Sequence, residues 1–200
     1  AQHSESFYSM LAHIPGLKVV VPSDPYSVKG LLAAAIRDDD PVFLVNDKKL
    51  INLTGFVPDE DYVIELGKGR YMRRGADVTL VGMSYTSVVC QKAAEQLAEI
   101  GIDAEVIDMM SLSPFDEDIL IESVAKTNNV VIVDEDTPRA SMASEFAAVI
   151  ADKAFDHLDA PVKRVTSPHS PVPYNSALEQ EFMPQPADVV GTVKNLLGRE

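Results

Sequence analysis

The chain has no tryptophan, one cysteine, four histidines and few cations: 17 Lys and Arg stand against 31 Asp and Glu in 200 residues. A single cysteine excludes an intrachain disulfide. Cys90 lies in the helical, apolar run Val88-Val89-Cys90-Gln91-Lys92-Ala93 and reads as a packed thiol rather than a nucleophile. The net charge of −14 argues against a nucleic-acid groove, which needs a basic face to displace counterions. It fits a well-solvated surface or a basic protein partner. No apolar run reaches the ~18 residues of a membrane span, and no signal or transit peptide is visible. His157 and His169 stand apart from any metal-ligand spacing, so a zinc site is not expected. Gly67-Lys68-Gly69-Arg70 lacks the continuation of a phosphate loop. There is no Gly-x-Ser-x-Gly elbow and no dinucleotide fingerprint.

What is present is a buried-sheet pattern. Hydrophobic residues make up 46% of the chain, enough for one large core or two small ones. Leu17-Lys18-Val19-Val20-Val21 is a β-branched run bounded by Pro15-Gly16 and Pro22-Ser23, as a strand would be. Ser23 or Asp24 can cap a helix with Pro25 in its first turn, and Val28, Leu31, Leu32, Ala35 and Ile36 recur at helical spacing. Asp38-Asp39-Asp40-Pro41 ends that helix, and Val42 to Val45 is a second strand. Strand, helix, strand predicts a parallel α/β sheet.

Residues 53–74 are polar and turn-rich, with room for one short strand. A second α/β series follows. Strands are expected at 78–82, 102–107, 129–134 and 162–165. Helices are expected at 86–99 (stopped by Gly101), from Pro114 to about Lys126 with Ser113 as cap, at 141–156 and at 186–197. The organisation predicted is a first unit over 1–52, a linker over 53–75 and a second unit over 76–200. A chain that opens on Gln2-His3-Ser4-Glu5 with no leading strand reads as one whose first half lies elsewhere.

Three features carry possible chemistry. His3 sits in a polar run, and His13, beside Ile14-Pro15-Gly16, reads as a packing or turn residue. Asp38-Asp39-Asp40 suits a hard cation or a solvated helix end. Acids at a helix C-terminus oppose the macrodipole, which points to a reason for their presence. Asp134-Glu135-Asp136 follows an apolar strand, where open α/β sheets place their ligand crevice. It reads equally as a polar loop.

Beyond these readings, the chain resembles the β subunits of thiamine-diphosphate-dependent 2-oxo acid dehydrogenases, the E1 components of pyruvate, branched-chain and acetoin dehydrogenase complexes. Residues carrying the resemblance include Ala1-Gln2-His3-Ser4, His13-Ile14-Pro15-Gly16-Leu17-Lys18-Val19-Val20 and Ala35-Ile36-Arg37-Asp38-Asp39-Asp40-Pro41. Gly75-Ala76-Asp77-Val78-Thr79-Leu80-Val81, Leu112-Ser113-Pro114-Phe115-Asp116 and Leu158-Asp159-Ala160-Pro161-Val162-Lys163-Arg164-Val165 continue it to the end of the chain. The fold implied is α/β: the C-terminal half of a pyrimidine-binding, transketolase-like domain, then a transketolase C-terminal three-layer αβα domain.

The resemblance implies an oxidoreductase that decarboxylates a 2-oxo acid or cleaves acetoin and passes the acyl group to lipoyl-E2. It implies thiamine diphosphate with Mg²⁺, held in an α2β2 heterotetramer whose α subunit carries the diphosphate. Partners implied are the E1 α subunit, the E2 dihydrolipoyl acyltransferase and other β chains, with no nucleic acid and no membrane. The compartment implied is bacterial cytoplasm, or the mitochondrial matrix in a eukaryote. His3 matches the family's active-site histidine. Ala35, Asp38 and Asp40 match a structural potassium site, and Asp159 matches an acid that pairs with E2. The glutamate that contacts the thiamine ring matches no residue here, so the chain alone is expected to be inactive. The family often has Glu near Asn46, Tyr near Ile51, and Thr-Gly-Gly-Phe where Pro138-Arg139-Ala140-Ser141-Met142 stands, a form closer to acetoin-type subunits. Two other readings are a non-catalytic assembly module and another transketolase-like enzyme.

Overall fold

The computed structural model describes residues 3–199. In chain order the elements begin α1 Tyr8–Ala12, β1 Lys18–Val20, α2 Pro25–Arg37, β2 Val42–Leu44, β3 Arg70–Arg73 and β4 Val78–Gly82. They continue α3 Tyr85–Glu99, β5 Ala104–Asp108, β6 Ser111–Ser113, α4 Glu117–Thr127 and β7 Val130–Asp134. They end with α5 Met142–Lys153, β8 Lys163–Thr166, α6 Ser176–Phe182 and α7 Pro186–Leu196.

The larger sheet has five strands in the order β3-β5-β4-β7-β8, parallel except for β3, which runs antiparallel along β5. Its central strands are buried on both faces, and alternate residues divide between two cores. Leu80, Val106, Val131 and Val133 pack against α3 and α7 through Val89, Ala93, Leu97, Val189 and Val193. Val81, Ile107, Val130 and Ile132 face the other way, onto Leu120 and Val124 of α4 and Phe146 and Ile150 of α5. That is the expected three-layer αβα arrangement.

In the first unit β1 and β2 pair in parallel, joined by α2, as the strand-helix-strand reading predicts. Asp24 is the helix cap. Its carboxylate accepts the Ser27 amide at 2.7 Å, and Pro25 opens the first turn. The unit is not separate from the second. β6, from beyond β5, adds antiparallel to β1, and Val19 and Val21 belong to the same core as Val81 and Ile107. Val20 points the opposite way, to Leu31 of α2 and Met110.

One predicted cap is corrected. Ser113 does not open α4; it lies in β6, and its hydroxyl donates to the Leu17 carbonyl at 2.9 Å. Asp116 caps α4 instead, accepting from the Ile119 amide, with Glu117 and Asp118 in the first turn. The strand at 111–113 and the helix α6 carried no readable period. Both are short, and their partners are distant in sequence.

The segment between the units is pinned rather than free. Tyr62 stacks on Tyr26 with ring centroids 4.6 Å apart, and the Ile64 amide donates to the Gly30 carbonyl at 3.1 Å. Gly30 permits this crossing, because a Cβ there would lie 2.6 Å from Ile64 Cγ1. The segment then delivers Arg70 to a buried cluster. Its guanidinium donates to Asp108 at 3.0 Å, to Asp24 at 2.7 Å and to the Ser23 hydroxyl at 2.9 Å. Ser87 of α3 donates to the other Asp108 oxygen at 2.7 Å. Burial pushes the Asp108 carboxyl up, opposed by Arg70 and the two hydroxyls. Burial pulls Arg70 down, and the carboxylates beside it more than restore it. Ser23 also donates its hydroxyl to Asp108 at 2.5 Å, so three residues, Ser23, Arg70 and Ser87, converge on one carboxylate. Asp108→Ala is expected to destabilise the chain by about 3–5 kcal/mol in urea unfolding, because it strands Arg70 and two buried hydroxyls. Asp108→Asn, which still accepts the hydroxyls, should cost less.

Candidate functional site

A cleft of about 390 Å³ lies between the first unit and the C-terminal ends of β4 and β7. His3, Ser6, Asp47, Lys49, Ser84 and Glu135 are among the residues that line it. Two of them come from special backbone. His3 has φ +55, a left-handed conformation that His tolerates better than most residues, and its side chain is exposed. Ser84, between β4 and α3, has φ 50 and ψ −125. This sparsely populated geometry costs of order 1–3 kcal/mol and persists where the surroundings over-determine it. The turn is held tight. Gly82 leaves no room for a Cβ, which would lie 2.6 Å from the Ser87 backbone, and the Ser84 hydroxyl donates to the Pro22 carbonyl at 3.2 Å.

The segment carrying His3 is fastened to the loop after β7 by three hydroxyls. Ser6 donates to Glu135 at 2.7 Å, Tyr8 donates to Asp134, and Ser9 donates to Asp136 at 2.8 Å. Each acid of 134–136 thus receives one hydroxyl from residues 6–9. The loop also starts α5. Asp134 accepts the Ala143 amide at 3.0 Å, and Ser9 accepts the Met142 amide at 3.2 Å. Burial is the main reason the Asp134 carboxyl is pushed up to about 6, against the pull of Tyr8 and two backbone amides. Burial, then Asp134 and Glu135, push the Tyr8 phenol well above its usual value. Burial and then Asp47 push Glu135 up, and burial does the same to Asp136.

The other expected site residues lie elsewhere. Asp38 and Asp40 do come together, on an ammonium: Lys18 Nζ lies 2.7 Å from Asp38 and 3.0 Å from Asp40. The Lys18 hydrogen bond is the first reason the Asp38 carboxyl is held below its usual range. The donor set therefore does not fit a potassium ion bound by these carboxylates. A cation here would rest on backbone carbonyls such as that of Ala35, one of the last four of α2 and so without an intrahelical donor. Asp159 is exposed near the short helical turn Phe155–His157, and its amide donates to the Asn128 carbonyl at 3.0 Å. His13 is exposed at the C-cap of α1, a turn residue rather than a packed one. Cys90 is fully buried, and burial pushes its thiol far up. Among the described residues no three His, Cys, Asp or Glu side chains converge as a metal site. The tie between residues 6–9 and 134–136, and the approach of Asp47 to Glu135, have no counterpart in the sequence reading. Only the triple acid after an apolar strand hints at them.

Residues 67–189 match the family described as "Transketolase, C-terminal domain", and residues 1–54 match "Transketolase, pyrimidine binding domain". The chain belongs to the transketolase family through its C-terminal domain. It is 52% identical to the acetoin:2,6-dichlorophenolindophenol oxidoreductase subunit beta of Bacillus subtilis (strain 168), over 99% of the chain and 58% of that protein. It is 41% identical to two further proteins of that organism. They are the 2-oxoisovalerate dehydrogenase subunit beta (97% of the chain, 60% of the relative) and the pyruvate dehydrogenase E1 component subunit beta (98% and 60%). A solved structure described as a split gene transketolase, inactive beta4 tetramer, superposes with TM-score 0.80 at 26% identity. It covers 96% of this chain and 60% of that one. The chain spans about three-fifths of the length of these relatives.

A raised carboxyl binds its proton more tightly in the folded state, so its stabilisation is full below the unfolded value and is lost as pH rises through the folded one. Asp134 titrates at about 6 in the fold, against an ordinary carboxyl value of ~3.9, so it should cost the protein about 3 kcal/mol between pH 4 and pH 7. Urea midpoints should fall across that window, and Asp134→Asn should flatten the fall.

Proposed function

We propose that the chain is part of the β subunit of a thiamine-diphosphate-dependent E1 enzyme that cleaves acetoin or decarboxylates a 2-oxo acid and delivers the acyl group to lipoyl-E2. The carrying observation is similarity over 97–99% of the chain to β subunits of three such enzymes, the acetoin oxidoreductase subunit standing at 52% against 41% for the others. Pro138-Arg139-Ala140-Ser141-Met142 favours the acetoin substrate in the same direction.

Thiamine diphosphate supplies carbanion stabilisation when bound. This chain contributes one wall of the cleft. His3, exposed at its mouth on a strained backbone, holds or gives up a proton at the substrate oxygens, a task suited to an imidazole whose unperturbed pKa is ~6.5. The hydroxyl ties from Ser6, Tyr8 and Ser9 fix the segment that presents it. The diphosphate and its Mg²⁺ belong to the α subunit in this reading.

The assembly is an α2β2 heterotetramer docking on an E2 acyltransferase through Asp159, working in bacterial cytoplasm or a mitochondrial matrix. A potassium ion at the end of α2 would be held by carbonyls. Among the described residues no helix is long and apolar enough to cross a membrane. Likeness to a split transketolase in the form of an inactive beta4 tetramer favours a second reading for the chain by itself: β chains that associate without turnover.

In enzyme reconstituted with the α subunit, His3→Ala should slow reductive acylation of lipoyl-E2 by about 10²-fold or more. An unchanged acylation rate removes His3 from the mechanism. The 200-residue chain without its partner should show no thiamine-diphosphate-dependent decarboxylation. Asp159→Lys should weaken binding to E2 in calorimetry and leave decarboxylation with an artificial electron acceptor intact.

A further inference from the structure

Two carboxyl groups from different units meet in the cleft. Asp47 follows β2 in the first unit, and its Oδ1 accepts the Lys49 amide at 2.7 Å. Its Oδ2 is sealed from solvent, and no donor among the described residues reaches it. Glu135 follows β7 in the second unit, and its Oε1 accepts the Ser6 hydroxyl. Asp47 and Glu135 line the same cleft, and Asp47, after burial, pushes the Glu135 carboxyl up. Two carboxylates cannot hydrogen-bond to each other, whereas a carboxylic acid and a carboxylate can. A sealed acceptor without a donor is destabilising, and two adjacent negative charges away from water are more so. One proton between them removes both penalties.

We propose that Asp47 and Glu135 share a single proton, and that this acid–carboxylate pair latches the loop after β2 to the loop after β7 and positions the His3 segment through Ser6. The proton belongs to the pair rather than to either residue. Glu135 is thus a positioning residue for His3.

The surroundings keep the proton in place. On its own loop Glu135 is flanked by Asp134 and Asp136, and the N-terminal segment brings Glu5, Tyr8 and His3. Tyr85 at the start of α3 feels both carboxyls, and Glu179 and Tyr174 approach from the C-terminal segment. The cations on this wall are Lys48 and Lys49. Lys49 lies 3.8 Å from Glu179 and over the Tyr85 ring. The balance is anionic and favours keeping a proton on the pair. As pH rises the proton leaves, two like charges face each other, and the latch opens.

The catalytic consequence rests on the E1 reading; the latch itself does not. Infrared difference spectra of the chain, taken above the titration of Asp134, should show the C=O stretch of a protonated carboxylic acid. That band should vanish in both Glu135→Gln and Asp47→Asn. Glu135→Gln keeps a neutral donor toward Asp47 and an acceptor for Ser6. Amide exchange at residues 4–9, corrected for intrinsic rates, should therefore speed up about tenfold in the wild type as the pair ionises and stay flat with pH in that variant. Glu135→Ala should leave the segment unprotected at every pH. A missing acid band, or wild-type protection that does not change with pH, overturns the proposal. So does protection at high pH that returns on adding Mg²⁺, Ca²⁺ or K⁺, which would mean a cation rather than a proton between the carboxylates. In reconstituted enzyme Glu135→Gln should flatten the basic limb of kcat and spare KM. Failure of that result alone, with the band present, overturns the link to His3 and leaves the latch. An enzyme inactive with thiamine diphosphate in every variant, band present, overturns the E1 reading alone.

Discussion

The carboxylate of Asp108 is the point on which the two units turn. It stands at the end of β5, fully buried, and takes donors from three stretches of chain: Ser23 of the first unit, Arg70 of the connecting segment, and Ser87 at the start of α3. A lone buried ion pair seldom repays its desolvation, because the Coulombic gain is offset by the loss of water on both charges. Here the hydroxyls and the second carboxylate, Asp24, complete the coordination that water would have given. What the cluster adds is specificity of place. Asp24 also caps α2, so the same residue that starts the helix ties it to the second sheet.

Much of the fold was legible because its signals are local. The run at 17–21 between Pro15-Gly16 and Pro22-Ser23, the Asp24-Pro25 start of α2 and the all-apolar strand before Asp134 each encode their structure within a few residues. Ser113 misled for a physical reason. A serine before Pro looks like a helix cap, yet a strand from far upstream claimed its backbone and its hydroxyl. The same divide runs through the site. His3 was found through the motif around it. The triple acid 134–136 was open between a loop and a crevice, and proved to be the receiver of three hydroxyls. Asp47 gave no sign, because its partner lies on the other unit.

The acids at the end of α2 illustrate how electrostatics settles a local conflict. Negative charge at a helix C-terminus is unfavourable. Lys18, on the neighbouring strand, cancels it by placing one ammonium between Asp38 and Asp40. The acids that oppose the helix dipole thus find their positive partner in a side chain of the chain itself.

Gly30 has an effect wider than its size. By lacking a side chain it lets the connecting segment lie directly across α2, with Ile64 and Tyr62 in the space a methyl would take. The first unit therefore finishes its own outer surface with residues that also lead into the strand β3 of the second sheet. The two sheets thus share one core as well as one connecting segment, so a change in the packing of either is felt by both.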